Sequence, residues 1–298
     1  MQLERMVVME IPKETKFLIV GLGLIGGSYA RALTKQGYQV KAITRSQSSI
    51  DYAMTENLIA DGRSYPDPEL IAEADIVVFA LYPHIFVQWI EENQQYFHSG
   101  TIITDVTGVK TSIVGKIQGI LRPDVEFIAA HPMAGREVYG VENSDEKIFR
   151  NANYIVVPTE KNTPRAIALC ERLGELLGFA KVSRLTPEKH DEMIAFLSQL
   201  THCIAVALMT CNESEHLEDY TGDSFRDLTR IANINEKMWS ELFLLNKEPL
   251  LEQMQLFRRD FDCLMERIAS DDVEGIQEMM IKSTARRKLF NKRIVEEK

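Results

Sequence analysis

A glycine-rich turn near the start of the chain restricts the possible fold most. The residues Gly21-Leu-Gly23-Leu-Ile-Gly26 follow the apolar run Phe17–Val20 and open a stretch that is typical of a helix. In such a turn the first glycine permits a tight bend, the second lets a pyrophosphate approach the backbone, and the third lets the helix pack on the strand. Unpaired N–H groups at the helix N-terminus would hold the phosphates. A tight turn without a ligand is the alternative, but the position between strand and helix favours a dinucleotide site.

Strand-like and helix-like segments alternate through the first half of the chain. The predicted strands are Phe17–Val20, Val40–Thr44, Asp75–Leu81, Thr101–Thr104 and Val125–Ala130. This alternation indicates a Rossmann-type α/β domain with a parallel sheet and right-handed crossovers. Two later runs, Tyr154–Val157 and Ala180–Ser183, are expected to extend the same sheet.

From Thr186-Pro187 onward the pattern is helical almost to the end. The predicted helices are Pro187–Leu217, Ser224–Ala232, Lys237–Asn246, Pro249–Ala269 and Asp272–Lys292. We therefore expect a dinucleotide-binding domain over residues 1–185 and an all-α domain over residues 186–298. Long helices with several apolar residues per turn need partners on more than one face, so we expect a homodimer formed through the helical domain.

Composition excludes several classes of partner. The net charge of −10 argues against nucleic acid and anionic membranes, because phosphates would be repelled. No apolar run approaches membrane-spanning length, and the first 16 residues lack a signal-peptide core. The four cysteines show no Cys-x-x-Cys pair and are interpreted as reduced, buried thiols. We expect a cytoplasmic protein without a metal site.

The second predicted strand bears on the identity of the cofactor. An acid at its tip would hydrogen-bond the adenosine ribose, but the strand ends in Thr44-Arg45-Ser46. Arg45 between hydroxyls fits a 2′-phosphate, and a solvated surface arginine fits equally well, so NAD and NADP both remain open. We predict that the NAD(P)+ site comprises Gly21, Gly23, Leu24, Ile25, Gly26, Thr44, Arg45, Ser46, Pro83 and Asp105.

His131 is the strongest candidate for a catalytic residue. It ends the apolar run Phe127–Ala130, and the following Pro132 favours extended backbone. Ligands of open parallel sheets bind beyond the carboxyl ends of the strands, so His131 is expected to point into the cofactor cleft. An imidazole can accept a hydroxyl proton while hydride leaves the same carbon. A structural histidine bonded to loop carbonyls is the alternative.

Other polar residues are expected near the same cleft. Glu137, in the loop after His131, is predicted to bind a polar group of the substrate or to orient a catalytic neighbour, with a solvated acid as the alternative. Asp105 and Thr107 follow another strand, and Thr107 either donates to a substrate hydroxyl or caps the next helix.

The helical half adds two groups of polar residues. Asp191, Ala195, Ser198 and His202 are spaced as one stripe of a helix, which indicates either a polar cavity or a solvated face. His190 is expected to serve only the first turn of that helix.

Arg226 and Arg230 share a face of the next predicted helix. In an acidic protein they indicate an anionic substrate, with Arg230 as a bidentate carboxylate clamp, while surface salt bridges are the alternative.

Together these motifs resemble one family, the prephenate and arogenate dehydrogenases of tyrosine biosynthesis, and most of all its bacterial prephenate dehydrogenases. The matching segments are 21–28, Asp105-Val106 with Val109-Lys110, His131-Pro-Met-Ala-Gly135 with Glu137, His190-Asp191, Ser198 with His202, Phe225-Arg-Asp with Thr229-Arg-Ile-Ala232, and Met238-Trp239. They occur in family order from about residue 16 to residue 240.

The resemblance implies a Rossmann domain followed by a helical dimerisation domain. It also implies oxidative decarboxylation of prephenate to 4-hydroxyphenylpyruvate with hydride transfer to NAD(P)+. In that reaction His131 would accept the ring-hydroxyl proton and Arg230 would hold a substrate carboxylate. Ser198 and His202 would help to fix the substrate.

The chain departs from the family pattern at three places. Gly108 stands where a serine is common, and we expect Thr107 to substitute for it. The helix motif is Ser198-Gln-Leu-Thr-His202 in place of Ser-His-Leu-Pro-His, and Arg136 replaces a serine or threonine. These changes lie around the predicted substrate site and leave prephenate and arogenate both open.

Two other functions are compatible with the fold. A β-hydroxyacid or imine-reducing dehydrogenase would rely on a lysine or tyrosine in the helical domain, whereas this chain offers His131 and Arg230. A non-catalytic nucleotide-sensing protein would need the glycines but not His131.

Overall fold

The computed structural model describes residues 10–290. The strands are β1 Lys16–Val20, β2 Gln39–Ile43, β3 Asp61–Arg63, β4 Ile76–Phe79, β5 Ile102–Asp105, β6 Glu126–Phe127, β7 Ala129–Pro132, β8 Asn153–Val157 and β9 Lys181–Arg184. The helices are α1 Leu24–Lys35, α2 Gln47–Thr55, α3 Pro68–Ala72, α4 Pro83–Asn93, α5 Thr111–Ile120, α6 Pro164–Leu176, α7 Pro187–Ile194, α8 Leu200–Thr210, α9 Asp223–Thr229, α10 Glu236–Leu245, α11 Lys247–Ala269 and α12 Val273–Arg287.

The main sheet has six parallel strands in the order β3-β2-β1-β4-β5-β6. Its central strands β1 and β4 are almost wholly buried, because helices cover both faces of a doubly wound parallel sheet. The chain order reverses beside β1, where the crevice at the carboxyl ends of the strands can accept a ligand. The predicted Rossmann-type fold is confirmed.

The expectation that the later strands extend this sheet is wrong. The run predicted as one strand, Val125–Ala130, divides into β6 and β7, because the chain leaves the sheet after the Ile128 N–H donates to the Ile103 carbonyl at 2.9 Å. The strand β7 then pairs antiparallel with β8, and β9 pairs parallel with β8, which makes a separate three-stranded sheet.

The helix that begins at Pro187 differs from the prediction in two ways. It ends at Thr210, and a π-helical turn over Ala195–Gln199 separates α7 from α8. This 24-residue helix is long and apolar enough to cross a membrane, whereas we expected no apolar run of that length from the sequence. It also carries buried polar side chains: Gln199 donates to the Leu242 carbonyl at 2.9 Å and accepts from Asn246 at 2.7 Å.

By packing, the chain forms two compact units, one ending at Asn246 and the other beginning at Lys247. The domain boundary predicted at residues 185–186 stays a prediction. The second unit contains α11 and α12. Up to residue 290, its large exposed apolar side chains are Leu251, Met254, Leu256, Phe257, Phe261, Met265, Ile268, Val273, Met280, Ile281, Leu289 and Phe290.

The cysteines were predicted to be buried, and only Cys170 is. Cys211 is exposed, and Cys203 and Cys263 are partly exposed. All four are free thiols.

Candidate active site

The glycine-rich turn has the shape that a bound pyrophosphate requires. Gly21 has a φ of +97°, and a Cβ on it would lie 2.3 Å from the Ala80 carbonyl oxygen. A Cβ on Gly26 would lie 1.9 Å from the carbonyl oxygen of Gly21, so neither position tolerates a side chain. A Cβ on Gly23 would meet nothing within 4 Å, and Gly23 gives α1 no side-chain cap. The backbone is thus open at the point where phosphates would meet uncapped N–H groups.

The remaining predicted cofactor residues lie at the same edge of the sheet. Thr44, Arg45 and Ser46 connect the end of β2 to α2, and the Ser46 hydroxyl accepts from the Ser49 N–H at 3.2 Å. Arg45 is exposed and has no hydrogen bond or ion pair with any other residue in the range 10–290. Pro83 is the buried first residue of α4, after β4. These positions are compatible with the predicted cofactor contacts, which stay predictions.

Asp105 was predicted to contact the cofactor, and the structure shows its side chain bonded within the protein, so that contact stays a prediction. Asp105 and Lys110 are an ion pair with fully buried side chains and a Nζ–Oδ2 distance of 2.6 Å. The Lys110 ammonium also donates to the Ala130 carbonyl at 2.6 Å and to the Thr107 hydroxyl at 3.1 Å, so its three donors are all used. Asp105 Oδ1 accepts the Ala130 N–H at 3.1 Å. This strand-end network, formed by Asp105, Thr107, Lys110 and the backbone of Ala130, fixes the residue that precedes His131.

The same network accounts for Thr107. Its side chain is buried, and its hydroxyl donates to Asp105. The residue at the N-cap of α5 is Lys110 and not Thr107, while a contact of Thr107 with the substrate stays a prediction. A Cβ on Gly108 would contact the Leu242 methyl groups at 3.4–3.5 Å. The expectation that Thr107 replaces the missing serine hydroxyl therefore finds no support in the structure.

His131 lies on β7, at the end of the strand as predicted, and its ring contacts a second histidine. His131 Nδ1 lies 2.8 Å from His190 Nε2, and His190 Nδ1 lies 2.8 Å from Asp191 Oδ1. Asp191 also accepts the backbone N–H groups of Lys110 and Thr111, each at 2.8 Å. We call His131, His190 and Asp191 the histidine relay. His190, predicted to serve only a helix turn, is the link between the other two.

Burial sets the protonation states in the relay. It lowers the pKa of His131 well below the ordinary value for histidine, and the nearby His190 and Lys110 act in the same direction. Burial also lowers the pKa of His190, although Asp191 opposes this shift. For Asp191, burial would raise the pKa, but hydrogen bonds from His190 and Thr111 outweigh it and keep the carboxyl ionised. At neutral pH both rings are therefore uncharged.

The predicted clamp residue Arg230 is paired with Glu137, whose loop follows β7. Arg230 opens a 3₁₀ turn directly after α9, and both side chains are exposed at 63% and 36%. Arg226, on α9 itself, pairs with Asp223 at 2.6 Å. The two arginines thus have different partners, and Arg230 contacts the loop that leads from His131.

His202 lies beside this clamp. Its Nδ1 donates to the Ser198 carbonyl at 2.8 Å, and its ring stacks on Trp239 with centroids 3.7 Å apart and planes tilted by 30°. Burial lowers the pKa of His202, and the Arg230 charge adds to the shift, while the Ser198 carbonyl and Glu137 oppose it. Ser198 is partly buried, and the π-helical turn over Ala195–Gln199 interrupts the regular stripe predicted from Asp191 to His202.

The structure brings three of the predicted substrate residues together: Arg230 is bonded to Glu137, and both charges act on His202. Glu137 lies in the loop that follows His131 along the chain, and the assignment of these four residues to one site stays a prediction. Sequence reasoning missed the contact of His190 with His131, and its one signal was that His190-Asp191 is among the segments that match the family. Within residues 10–290, no three His, Cys, Asp or Glu side chains cluster as metal ligands would.

Comparison with known proteins agrees with this arrangement. A family model described as the nucleotide-binding domain of prephenate dehydrogenase matches residues 29–183. A second model, described as the dimerization domain of prephenate dehydrogenase, matches residues 186–282. A prephenate dehydrogenase of Bacillus subtilis is 31% identical over 274 residues, which are 87% of this chain and 71% of the relative.

Two solved structures share the whole fold. The prephenate dehydrogenase of A. aeolicus in complex with hydroxyphenyl propionate and NAD+ has a TM-score of 0.86 and 27% identity, over 95% of this chain and 100% of that one. The Synechocystis arogenate dehydrogenase has a TM-score of 0.80 and 26% identity, over 93% and 100% of the two chains. The likeness covers both the sheet domain and the helices that follow it.

Proposed function

Because the chain belongs to the prephenate dehydrogenase family, we propose that it catalyses the oxidative decarboxylation of prephenate to 4-hydroxyphenylpyruvate with NAD(P)+. The observation that carries this proposal is an uncharged histidine, His131, one loop away from an arginine, Arg230. The first group suits a proton acceptor, and the second suits an anionic substrate. The nicotinamide of the bound cofactor supplies the acceptor for the hydride.

In this reaction His131 takes the proton of the ring hydroxyl while hydride leaves the carbon that bears it. The bond between the ring carbon and its carboxylate breaks, carbon dioxide departs, and the electron pair of that bond completes the aromatic ring. His131 then returns the proton to the ring oxygen, because the product carries a hydroxyl group. The low pKa of His131 keeps the imidazole ready to accept a proton at neutral pH. The buried strand-end network bonds both backbone groups of Ala130 and so supports the position of the following His131.

Substrate binding is assigned to the clamp of Glu137 and Arg230. A guanidinium matches the two oxygens of a carboxylate, and Arg230 must exchange its contact with Glu137 to bind one from the substrate. The stacked rings of His202 and Trp239 form an aromatic wall beside it, which suits the six-membered ring of prephenate. Once its contact with Glu137 is exchanged, the Arg230 guanidinium would supply the local positive charge that a chain with a net charge of −10 needs to bind an anion.

The cofactor would be held by the glycine-rich turn. Gly21 and Gly26 close the bend tightly, and Gly23 leaves the space for the pyrophosphate at the start of α1. Arg45 at the end of β2 is the group that would meet a 2′-phosphate if NADP+ is bound.

The homodimer and the cytoplasmic location belong to the same proposal. The match to a dimerization domain and the exposed apolar side chains of α11 and α12 support a dimer. Light scattering after size-exclusion chromatography should give twice the 34.0 kDa chain mass, and a monomer would contradict it. Recovery in the soluble fraction of cells after ultracentrifugation, without detergent, is the expected result for the location, and retention in membranes would contradict it.

The test of the activity is an assay of cofactor reduction with two substrates and two cofactors. We expect reduced cofactor and carbon dioxide in equal amounts from prephenate. If neither prephenate nor arogenate is oxidised while NAD+ or NADP+ binds, the proposed function is wrong. Arogenate is the second candidate substrate, because the Glu137 carboxylate beside Arg230 offers a partner for the ammonium group of arogenate. Faster oxidation of arogenate than of prephenate would reassign the substrate.

A further inference from the structure

We infer that His190 and Asp191 are positioning residues that hold His131 in the tautomer whose Nε2 carries the free lone pair. This inference rests on the proposed function, because it concerns the step in which His131 accepts the hydroxyl proton. It concerns two residues that touch neither substrate nor cofactor and act only through His131.

The derivation begins at Asp191, because an ionised carboxylate can only accept hydrogen bonds. Its oxygens receive the N–H groups of Lys110 and Thr111 and lie 2.8 Å from His190 Nδ1. The hydrogen of that last contact must therefore be on His190 Nδ1. Since His190 is buried and uncharged, its Nε2 is left as an acceptor.

The second step transfers this constraint to His131. His190 Nε2 lies 2.8 Å from His131 Nδ1, so His131 Nδ1 must donate. An uncharged imidazole carries one N–H, and the Nε2 of His131 is then unprotonated. A base needs its lone pair at the atom that meets the substrate, and the relay provides this without any contact to the substrate.

The relay also prepares the charged state. When His131 accepts a proton, its Nδ1–H stays bonded to His190, and the line of hydrogen bonds ends on the negative Asp191. The other charged groups around the two rings are Lys110 and Asp105, which neutralise each other as a buried pair. Asp191 is therefore the negative charge that remains to face the new imidazolium.

A purely structural role for Asp191 must be distinguished from this one. Asp191 also accepts the first N–H groups at the start of α5, as a helix cap does. The variant Asp191→Asn keeps an acceptor for the cap but adds an N–H donor and removes the charge. His190 is then no longer forced to carry its hydrogen on Nδ1, and His131 is free to adopt the inactive tautomer.

The decisive experiment is nitrogen-15 NMR of histidine-labelled protein at neutral pH, with His131 assigned by its absence in His131→Asn. We expect His131 to be protonated on Nδ1 in the wild type and to change tautomer in Asp191→Asn. A wild-type His131 protonated on Nε2 would overturn the inference. This readout needs no turnover, so it fails or succeeds independently of the proposed substrate, and the wild-type spectrum decides even if Asp191→Asn does not fold.

Kinetics supply the second readout. For Asp191→Asn we expect kcat to fall by about a hundredfold or more, with the KM for prephenate changed by less than about threefold. The matched control is Asp272→Asn, which alters the carboxylate that accepts the Gly275 N–H at the start of α12, and its kcat should match the wild type. A wild-type kcat in Asp191→Asn would contradict the inference.

Discussion

The proton-accepting side of the site is built of buried groups, whereas the clamp side is built of exposed ones. The Asp105 and Lys110 side chains have no exposed surface, and each polar atom there has a partner within the fold. Arg230 and Glu137 are 63% and 36% exposed and are bonded to each other. The buried Asp105–Lys110 side has all its partners within the protein, whereas Arg230 on the clamp side must exchange Glu137 for the substrate. In the proposed function, the buried groups would therefore position the proton acceptor, while the exposed pair would determine substrate affinity.

The largest expected difference between the two sides is in stability. Lys110→Met leaves the buried Asp105 carboxylate unpaired and should lower the free energy of unfolding by about 3–5 kcal/mol. Arg230→Gln breaks an exposed pair and should change it by less than about 1 kcal/mol. Urea denaturation followed by circular dichroism measures both. Equal losses of unfolding free energy in the two variants would contradict the distinction between a buried side and an exposed side.

The clamp side should instead determine substrate affinity. Arg230→Gln removes a charge-assisted contact to the substrate carboxylate, and we expect the KM for prephenate to rise by about tenfold to a hundredfold. Arg226→Gln is the matched control, because Arg226 is also exposed and ion-paired but bonds Asp223 and the Thr221 carbonyl. A similar KM increase in both variants would show that the clamp lies elsewhere.

The cofactor edge offers a smaller test. Arg45 has no partner among the described residues, so its loss should not disturb the fold. In Arg45→Ala we expect the KM for NADP+ to rise by about tenfold and the KM for NAD+ to stay within about twofold, since only the former carries a 2′-phosphate. Steady-state assays with each cofactor measure this. Equal changes for both cofactors would exclude Arg45 from phosphate recognition.

The smallest expected effect is in the pH profile. His131 must be uncharged to accept a proton, and its lowered pKa keeps it uncharged below the ordinary histidine value of about 6.5. The acid limb of kcat/KM should therefore lie below pH 6.5. The ionisable groups around His131 are the buried His190, Asp191, Lys110 and Asp105. Initial rates with prephenate at several pH values measure it. A midpoint at or above 6.5 would mean that His131 is not the buried base described.

The sequence predicted those features that depend on local patterns. The glycine-rich turn, the parallel sheet and the strand-end position of His131 follow from periodicity and backbone requirements over a few residues. Arg230 was predicted as an anion-binding residue because two arginines on one helix face of an acidic protein offer a local site for an anion. Each of these has a signal within one segment of the chain.

The features that were missed depend on contacts between distant segments. Asp105 occupies a strand end, and whether such a side chain faces a ligand or turns inward to Lys110 depends on where β7 lies. The link from His190 to His131 exists only because α7 packs beside β7. The π-helical turn at Ala195–Gln199 could not be predicted from the spacing of apolar residues, because a π-helical turn has no composition that distinguishes it from an α-helix.

The most direct test of the reaction is the oxidation of prephenate by wild type and His131→Asn at saturating cofactor. We predict that the wild type releases carbon dioxide and reduced cofactor together, and that His131→Asn binds prephenate almost normally while its kcat falls by about a hundredfold or more. A His131→Asn protein that turns over prephenate at the wild-type rate would contradict the assignment of His131 as the proton acceptor.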